Sequence, residues 1–285
     1  MRGLVCCGAI VLAASVITRG QPAATMSVED LMKERLAVSA ADVTRFSAGN
    51  AVVWAIPATA DNEVAAAGAI RAKGDLRRIL AWLRDVESFI RAAGTENVGA
   101  LANPVTPADL ARIPLEDRAN ATADRARIGD YVSAYQKHGD AAGKSASEFK
   151  DMLRRSTKVW DLAHSFASYL ETFPAAAPPG TESRFYWTRE KAFTLHHVVI
   201  QSLDDRRLLV ADKQFYASQD IDAGLMIALG VANADLTSFD LVVSVKARAA
   251  AMRGVAGKIL RGRIEKEVRE ALTVYLEWIR GSAAL

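Results

Sequence analysis

The chain has 285 residues, of which 51% are hydrophobic, and its 36 Lys and Arg residues are nearly balanced by 33 Asp and Glu residues. This composition excludes a disordered or fibrous protein, and it provides enough apolar surface for one substantial core or two small ones. Cys6 and Cys7 are the only cysteines, and both lie near the N-terminus.

The N-terminal segment has the pattern of an export signal. Arg2 is followed by an apolar run over residues 4–17, which is too short to span a bilayer. We predict a signal peptide over residues 1–24 and a periplasmic or secreted protein; the alternative is a membrane anchor formed by the uncleaved segment. Loss of Arg2 and Arg19 leaves 34 basic against 33 acidic residues, a net charge of +1. The mature protein then has no thiol and lacks the positive field typical of nucleic-acid binding, so we expect no nucleic-acid partner.

The first half of the mature chain reads as strand, strand and helix after two short helices. Residues 27–36 and 40–46 have the pattern of short helices. Residues 51–56 and 64–72 are predicted strands. An amphipathic helix is predicted at about 75–92, because its apolar residues recur every three or four positions.

Residues 94–180 form a long stretch in which the predicted elements are mostly short and helical. Phe149, Met152, Leu153 and Val159 indicate one helix. A second is indicated by Leu162, Phe166, Tyr169, Leu170 and Phe173. The Pro- and Gly-containing run over residues 175–180 separates these helices from the predicted strands after it.

Five segments rich in β-branched and aromatic residues then follow one another closely, at 185–190, 193–203, 207–218, 221–231 and 238–248. The short links between them favour an antiparallel meander. The last segment alternates apolar and polar residues, which predicts one buried and one solvated face. The fourth shows almost no alternation, and we expect it to be buried on both sides.

A long amphipathic helix is predicted at the C-terminus, and the buried face of the sheet is the expected partner of its apolar side. Its predicted apolar stripe comprises Val255, Ile259, Leu260, Ile264, Val268, Leu272, Tyr275, Leu276 and Ile279.

The order of elements in residues 63–92 and 184–280 resembles the START-like helix-grip superfamily, which includes lipid-transfer proteins and polyketide cyclases. A closer resemblance is to an uncharacterised group of exported bacterial proteins. It is carried by a tryptophan-centred strand, YWTRE at 186–190, and a strand bearing lysine and tyrosine, ADKQFYAS at 211–218. The superfamily implies a hydrophobic cavity between the sheet and the last helix, whereas the exported group has no established activity to carry over.

The resemblance implies a single START-like α+β domain over residues 25–285. An antiparallel sheet would grip the long C-terminal helix, with a helical insertion at about 94–180 between the first helix and the β-meander. We therefore predict an exported, non-enzymatic protein that holds an apolar or amphipathic small molecule or lipid in this cavity, without a cofactor. From their strand positions, the expected cavity residues are Trp187, His197, Lys213, Tyr216 and Asp222.

Two other functions remain open from the sequence. One is a cyclase- or hydrolase-type enzyme that uses the same cavity, with Lys213 or His197 as acid or base; burial of Lys213 would lower its pKa. The other is a structural or interaction protein with a packed core. His196 and His197 are neighbours on one strand and point to opposite faces, so they cannot share a metal ion. No Gly-x-Ser-x-Gly elbow or phosphate-binding glycine loop is present, and we predict no metal site and no catalytic residue.

Residues 246–269 contain eight positive charges, a density that allows two interpretations. A basic amphipathic helix can contact the anionic headgroups of a membrane. The same residues can also form the solvated face of an ordinary helix. The residues predicted to face a membrane are Arg253, Lys258, Arg261 and Arg263.

Overall fold

The structure is a computed structural model that describes residues 27–115, 120–142, 146–155, 164–190, 192–218 and 222–283. The predicted signal peptide lies outside the described residues, as do Val159 and Leu162 of the predicted insertion helices.

The described residues form an α+β fold. Its strands are β1 (Val52–Ala55), β2 (Glu63–Lys73), β3 (Val98–Leu101), β4 (Thr181–Arg189), β5 (Phe193–Ser202), β6 (Arg207–Ala217), β7 (Ala223–Ala232) and β8 (Ser238–Arg248). Its helices are α1 (Val28–Asp30, followed by a π-helical turn at Leu31–Arg35), α2 (Ala40–Ser47), α3 (Leu76–Arg84), α4 (Val86–Ala92), α5 (Pro107–Ala111), α6 (Ala121–His138), α7 (Ala146–Arg155), α8 (His164–Thr172) and α9 (Gly254–Ala283).

All eight strands belong to one antiparallel sheet with the order β1-β2-β8-β7-β6-β5-β4-β3. The predicted meander forms β4 to β8, and β2 joins it through an eleven-residue register with β8, from Glu63↔Arg248 to Lys73↔Ser238. Strand β3 was not predicted, because its four residues, Val98–Leu101, are too few to show a period. It lies within the predicted helical insertion and extends the sheet beside β4.

One side of the sheet, called here the helix face, packs against α3, α4 and the C-terminal helix α9. Leu272, Leu276 and Ile279 of α9 share a core with Ile70 of β2. Small residues on β2 let α9 approach closely: a Cβ on Gly68 would lie 2.7 Å from Cδ1 of Leu276. The sheet therefore grips the C-terminal helix as predicted, an arrangement consistent with a helix-grip fold.

The opposite side, called here the insertion face, is covered as well. Helices α7 and α8 pack on the centre of the sheet and α6 on its β4–β6 end, while α1 and α2 cover the strands near β1. Basic side chains on this face pair with carboxylates of the covering helices. Arg71 bonds Glu29 at 2.6 Å, and Arg248 bonds Glu148 and Asp151 at 2.6 Å each.

Coverage of both faces makes the predicted solvated face of the last strand wrong. Asp240 and Lys246 of β8 are buried, because the N-terminal and insertion helices lie over them. Lys246 and Arg248 are therefore interior residues rather than part of an exposed basic run. The predicted helix over 75–92 is also divided in two, with Asp85 capping the second part through its side chain.

Within the described residues, no helix combines the length and apolarity needed to cross a bilayer.

Candidate functional site

The helix face carries a group of polar side chains within an otherwise apolar surface, called here the helix-face cluster: Tyr186, His196, Asp212 and Tyr275. Tyr186 comes from β4, His196 from β5, Asp212 from β6 and Tyr275 from α9. Three neighbouring strands and the gripped helix thus each contribute one side chain. Thr194 and Thr188 adjoin the cluster on one side, and Val198, Val210, Met226, Val245 and Val268 border it within the apolar core.

Hydrogen bonds converge on the Asp212 carboxylate. The Tyr186 hydroxyl donates to Oδ2, and Nδ1 of His196 lies 3.0 Å from Oδ1. The rings of Tyr186 and His196 are stacked, with their centroids 4.5 Å apart. Nε2 of His196 lies 2.9 Å from the Thr194 hydroxyl. These contacts fix the positions of both the carboxylate and the imidazole.

Burial and the Asp212 charge both act on the two tyrosines. Burial, followed by the nearby carboxylate, raises the pKa of Tyr186 well above its usual value. The same two causes raise the pKa of Tyr275. Both hydroxyls therefore stay protonated at physiological pH: that of Tyr186 donates to Asp212, and that of Tyr275 is able to donate.

The cluster is not sealed. The side chains of His196 and Asp212 keep 15% and 14% of their surface exposed, although they lie in the middle of the sheet beneath helices. Nearby, α3, α4 and the end of α9 border an open groove of about 530 Å³ with Trp82, Phe89 and Trp278 among its lining residues. Phe89 packs edge-to-face on Tyr275 with centroids 6.4 Å apart, so aromatic side chains run from the groove to the cluster.

Four of the five residues predicted to line the cavity lie instead on the insertion face, where Trp187, Phe215 and Tyr216 share a core with α6. His197 and Lys213 pair across β5 and β6 on that same face. Strict alternation would place Tyr216 on the face of Asp212, but a β-bulge opposite Leu195 and His196 turns it to the insertion face. The fifth, Asp222, is exposed next to the start of β7. The predicted set is therefore not brought together between the sheet and α9.

His197 is enclosed and fully hydrogen-bonded. Nδ1 lies 3.2 Å from the Tyr135 hydroxyl and Nε2 lies 3.1 Å from the Ser183 hydroxyl. Its ring stacks on Phe185 at 4.5 Å. Burial lowers the pKa of His197 to about 3, so the imidazole is neutral at physiological pH. Complete burial, together with bonding at both ring nitrogens, suits a structural role for this residue.

Lys213 is also interior, and it does not extend to the sheet edge. Its Nζ lies 3.7 Å from the centre of the Phe149 ring and forms an ion pair with Asp140. Burial lowers the pKa of the Lys213 amine, whereas the adjoining carboxylate favours its charged form. Lys213 therefore joins β6 to the insertion through two kinds of contact.

The helix-face cluster was not predicted as a site, although part of its signal is in the sequence. The short β5–β6 link sets Ser202 opposite Leu208, and counting back from this pair puts Asp212 opposite Val198, diagonally beside His196. The contribution of Tyr275 depends on how α9 crosses the sheet, which no local pattern specifies. Within the described ranges, no group of three or more His, Cys, Asp or Glu side chains could hold a metal ion.

The chain matches no model of a known protein family and no curated protein sequence.

Proposed function

We propose that this chain is an exported binding protein that holds an apolar or amphipathic small molecule or lipid between the sheet and the C-terminal helix. The observation that carries this proposal is the helix-face cluster, a partly accessible polar group within an apolar surface. Small-molecule sites typically combine an apolar lining with a few convergent polar groups. The packing of the sheet around α9 supports the proposal because START-like proteins hold their ligands between the same two elements.

The chemistry of the cluster suggests which ligand group it would hold. Asp212 can accept a hydrogen bond from a hydroxyl or amine, and the protonated Tyr275 hydroxyl can donate one to a carbonyl or ether oxygen. Phe89, Met226 and Val268 would contact the apolar remainder. The expected ligand is therefore an apolar molecule with one small polar end.

Two measurements test the proposal. Native mass spectrometry of the exported protein should show a bound apolar compound. Hexadecanol or the uncharged dye Nile red added to delipidated protein should change the fluorescence of Trp82 and Trp278, whose rings lie 6.1 Å apart beside the cluster. Asp212→Asn should weaken binding about tenfold or more, since a hydrogen bond to a charged group contributes roughly 1.5–3 kcal/mol. Tyr275→Phe should weaken it by up to about tenfold, since a hydrogen bond between neutral groups contributes roughly 0.5–1.5 kcal/mol.

Tyr216→Phe is the matched control, because it removes one hydroxyl from the opposite face of the same sheet. Binding that is weakened by Tyr216→Phe and not by the two helix-face variants would refute the site. A protein that is recovered empty and binds neither probe would refute the function and favour a packed structural or interaction protein.

The export part of the proposal rests on residues 1–24 and has its own test. N-terminal sequencing of the mature protein from a periplasmic or secreted fraction should begin near residue 25. A protein recovered from the membrane with its N-terminus intact would support the uncleaved anchor instead.

A cyclase- or hydrolase-type enzyme is the second candidate, favoured by the 3.0 Å contact between His196 and Asp212. A carboxylate beside a histidine orients the ring and supports proton transfer. His196 would then act as the acid or base in place of Lys213 or His197. Hydrolysis of a p-nitrophenyl ester that is abolished by His196→Gln, with hexadecanol binding unchanged, would favour the enzyme; equal rates in both proteins would count against it.

A further inference from the structure

The first turns of α9 carry apolar side chains that point away from the protein. Val255 is 89% exposed and Ile259 is 81% exposed, while Leu260 is 38% exposed. Between residues 254 and 262 only Gly257 is buried, where a Cβ would lie 2.2 Å from the Met252 carbonyl carbon. The sequence predicted Val255 and Ile259 to pack on the sheet, but each is two positions from the buried Gly257, about 200° around the helix, and therefore lies on its outward side.

Positive charge surrounds this apolar ridge. Residues 253–263 include four basic residues and no acidic one. Lys258 follows Val255 by three positions and Arg263 follows Ile259 by four, so each lies beside an exposed apolar side chain on the helix surface. Arg261 instead turns back and donates to the Asp61 carbonyl. Arg253 lies 3.8 Å from Glu148 of α7, and Arg263 pairs with Glu267 at 3.0 Å, so carboxylates reach the patch at its two ends.

The basic apolar patch, defined as residues 253–263, differs from the other exposed apolar position on the same helix. Val274 is 70% exposed, but Glu270 and Glu277 lie one turn to either side of it. The combination of apolar and purely basic side chains is therefore specific to the start of α9 along this helix.

We propose that the basic apolar patch docks on a bilayer surface containing anionic phospholipids. Val255 and Ile259 enter the boundary between headgroups and acyl chains, and Lys258 and Arg263 lie against the phosphates. This geometry matches an interfacial helix, which buries its apolar side chains and places basic ones at headgroup level. The proposal goes beyond the proposed function, since it does not depend on what the helix-face cluster binds.

The charges and shape favour a lipid surface over other occupants. A symmetric contact between two copies would bring the same basic side chains together, and like charges repel. A nucleic acid would use the cations but would leave Val255 and Ile259 in water. A membrane surface satisfies both sets of side chains at once.

Vesicle co-sedimentation of the exported protein, after removal of its signal segment, tests the proposal. Binding is expected to vesicles of phosphatidylcholine with about one-third phosphatidylglycerol, to be weaker on phosphatidylcholine alone, and to fall with added salt. Lys258→Gln with Arg263→Gln should lower the partition coefficient up to about 30-fold, which converts from about 1 kcal/mol for each charge. Val255→Ser with Ile259→Ser should lower it roughly tenfold or more, since each buried CH₂ is worth about fourfold.

Two controls match these variants on other surfaces. Val274→Ser removes an exposed apolar side chain from the acidic part of α9, and Lys33→Gln with Lys137→Gln removes two exposed charges elsewhere. Both controls should bind as the wild type does, and unchanged thermal unfolding should show that every variant is folded. Wild-type protein without preference for anionic vesicles, or either patch variant binding like the wild type, would overturn the proposal. A dimer of the wild type that the serine variant disrupts would also overturn it, by showing the patch to be a self-association surface.

Discussion

Replacement of His197 by Gln should remove a large part of the acid sensitivity of this fold. Burial lowers the pKa of His197 to about 3, whereas histidine in an unfolded chain has a pKa of about 6.5. Between these values the unfolded chain binds a proton on the imidazole and the folded chain does not. Stability is therefore fully present above the unfolded pKa and is lost as the pH falls, since protons favour the unfolded state.

The size of the effect follows from the two pKa values. Lowering the pH from about 7 to about 5 should cost the wild type roughly 2 kcal/mol of unfolding free energy through this one residue. His197→Gln keeps a side chain that can donate and accept hydrogen bonds but cannot titrate. It should be less stable than the wild type at both pH values, because Ser183 and Tyr135 lose well-placed partners, and its loss on acidification should be smaller by that amount.

Urea unfolding followed by circular dichroism at the two pH values measures the difference directly. His138→Gln is the matched control, since it removes an exposed imidazole from α6. The reasoning would be refuted if His197→Gln lost as much stability on acidification as the wild type. It would also fail if His138→Gln reproduced the effect, because burial would then not be the cause.

Two further changes test the packing of each face of the sheet. Arg248→Met leaves the fully buried Glu63 without its 2.8 Å partner and should lower the unfolding free energy by about 3–5 kcal/mol. Arg84→Met removes one partner of a half-exposed ion pair and should leave the urea midpoint nearly unchanged. Equal losses of stability in the two variants would contradict the assignment of Arg248 to a buried ion pair. Gly68→Val places a side chain where a Cβ would already overlap Leu276, and it should lower the unfolding free energy by roughly 1–3 kcal/mol, measured by thermal unfolding. Gly281→Ala, at an open position of α9, should instead be slightly stabilising. A loss of stability in Gly281→Ala equal to that in Gly68→Val would show that the contact between β2 and α9 is not the cause.

The sequence was sufficient for the meander and the gripped helix, because both have strong local periods. The strand predicted at 238–248 matches β8 (Ser238–Arg248), and the short links left only antiparallel pairing. The partner of the C-terminal helix could be inferred since Leu272, Leu276 and Ile279 form one apolar stripe. These features depend on spacing along the chain.

The prediction failed where burial depends on distant segments. Asp240 looked solvent-exposed by alternation, yet it is bonded by Arg71 beneath the N-terminal helices. Val255 and Ile259 looked like part of the apolar stripe, but they lie on the outward side of the helix, opposite the buried Gly257. Tyr216 changed face through a bulge of one residue. In each case the sequence pattern is ordinary, and the tertiary position decides its meaning.

The pairing of β2 with β8 has a consequence for how the chain folds. Glu63 and Arg248 meet across 185 positions in sequence, whereas the strands of the meander follow one another closely. Strands that are close in sequence pair before distant ones, so the meander is expected to assemble before β2 pairs with the free edge of β8. An unpaired edge is a template for intermolecular pairing. Until β2 pairs with it, the edge of β8 is therefore expected to be open to aggregation, and a chaperone that covers an extended strand would protect it.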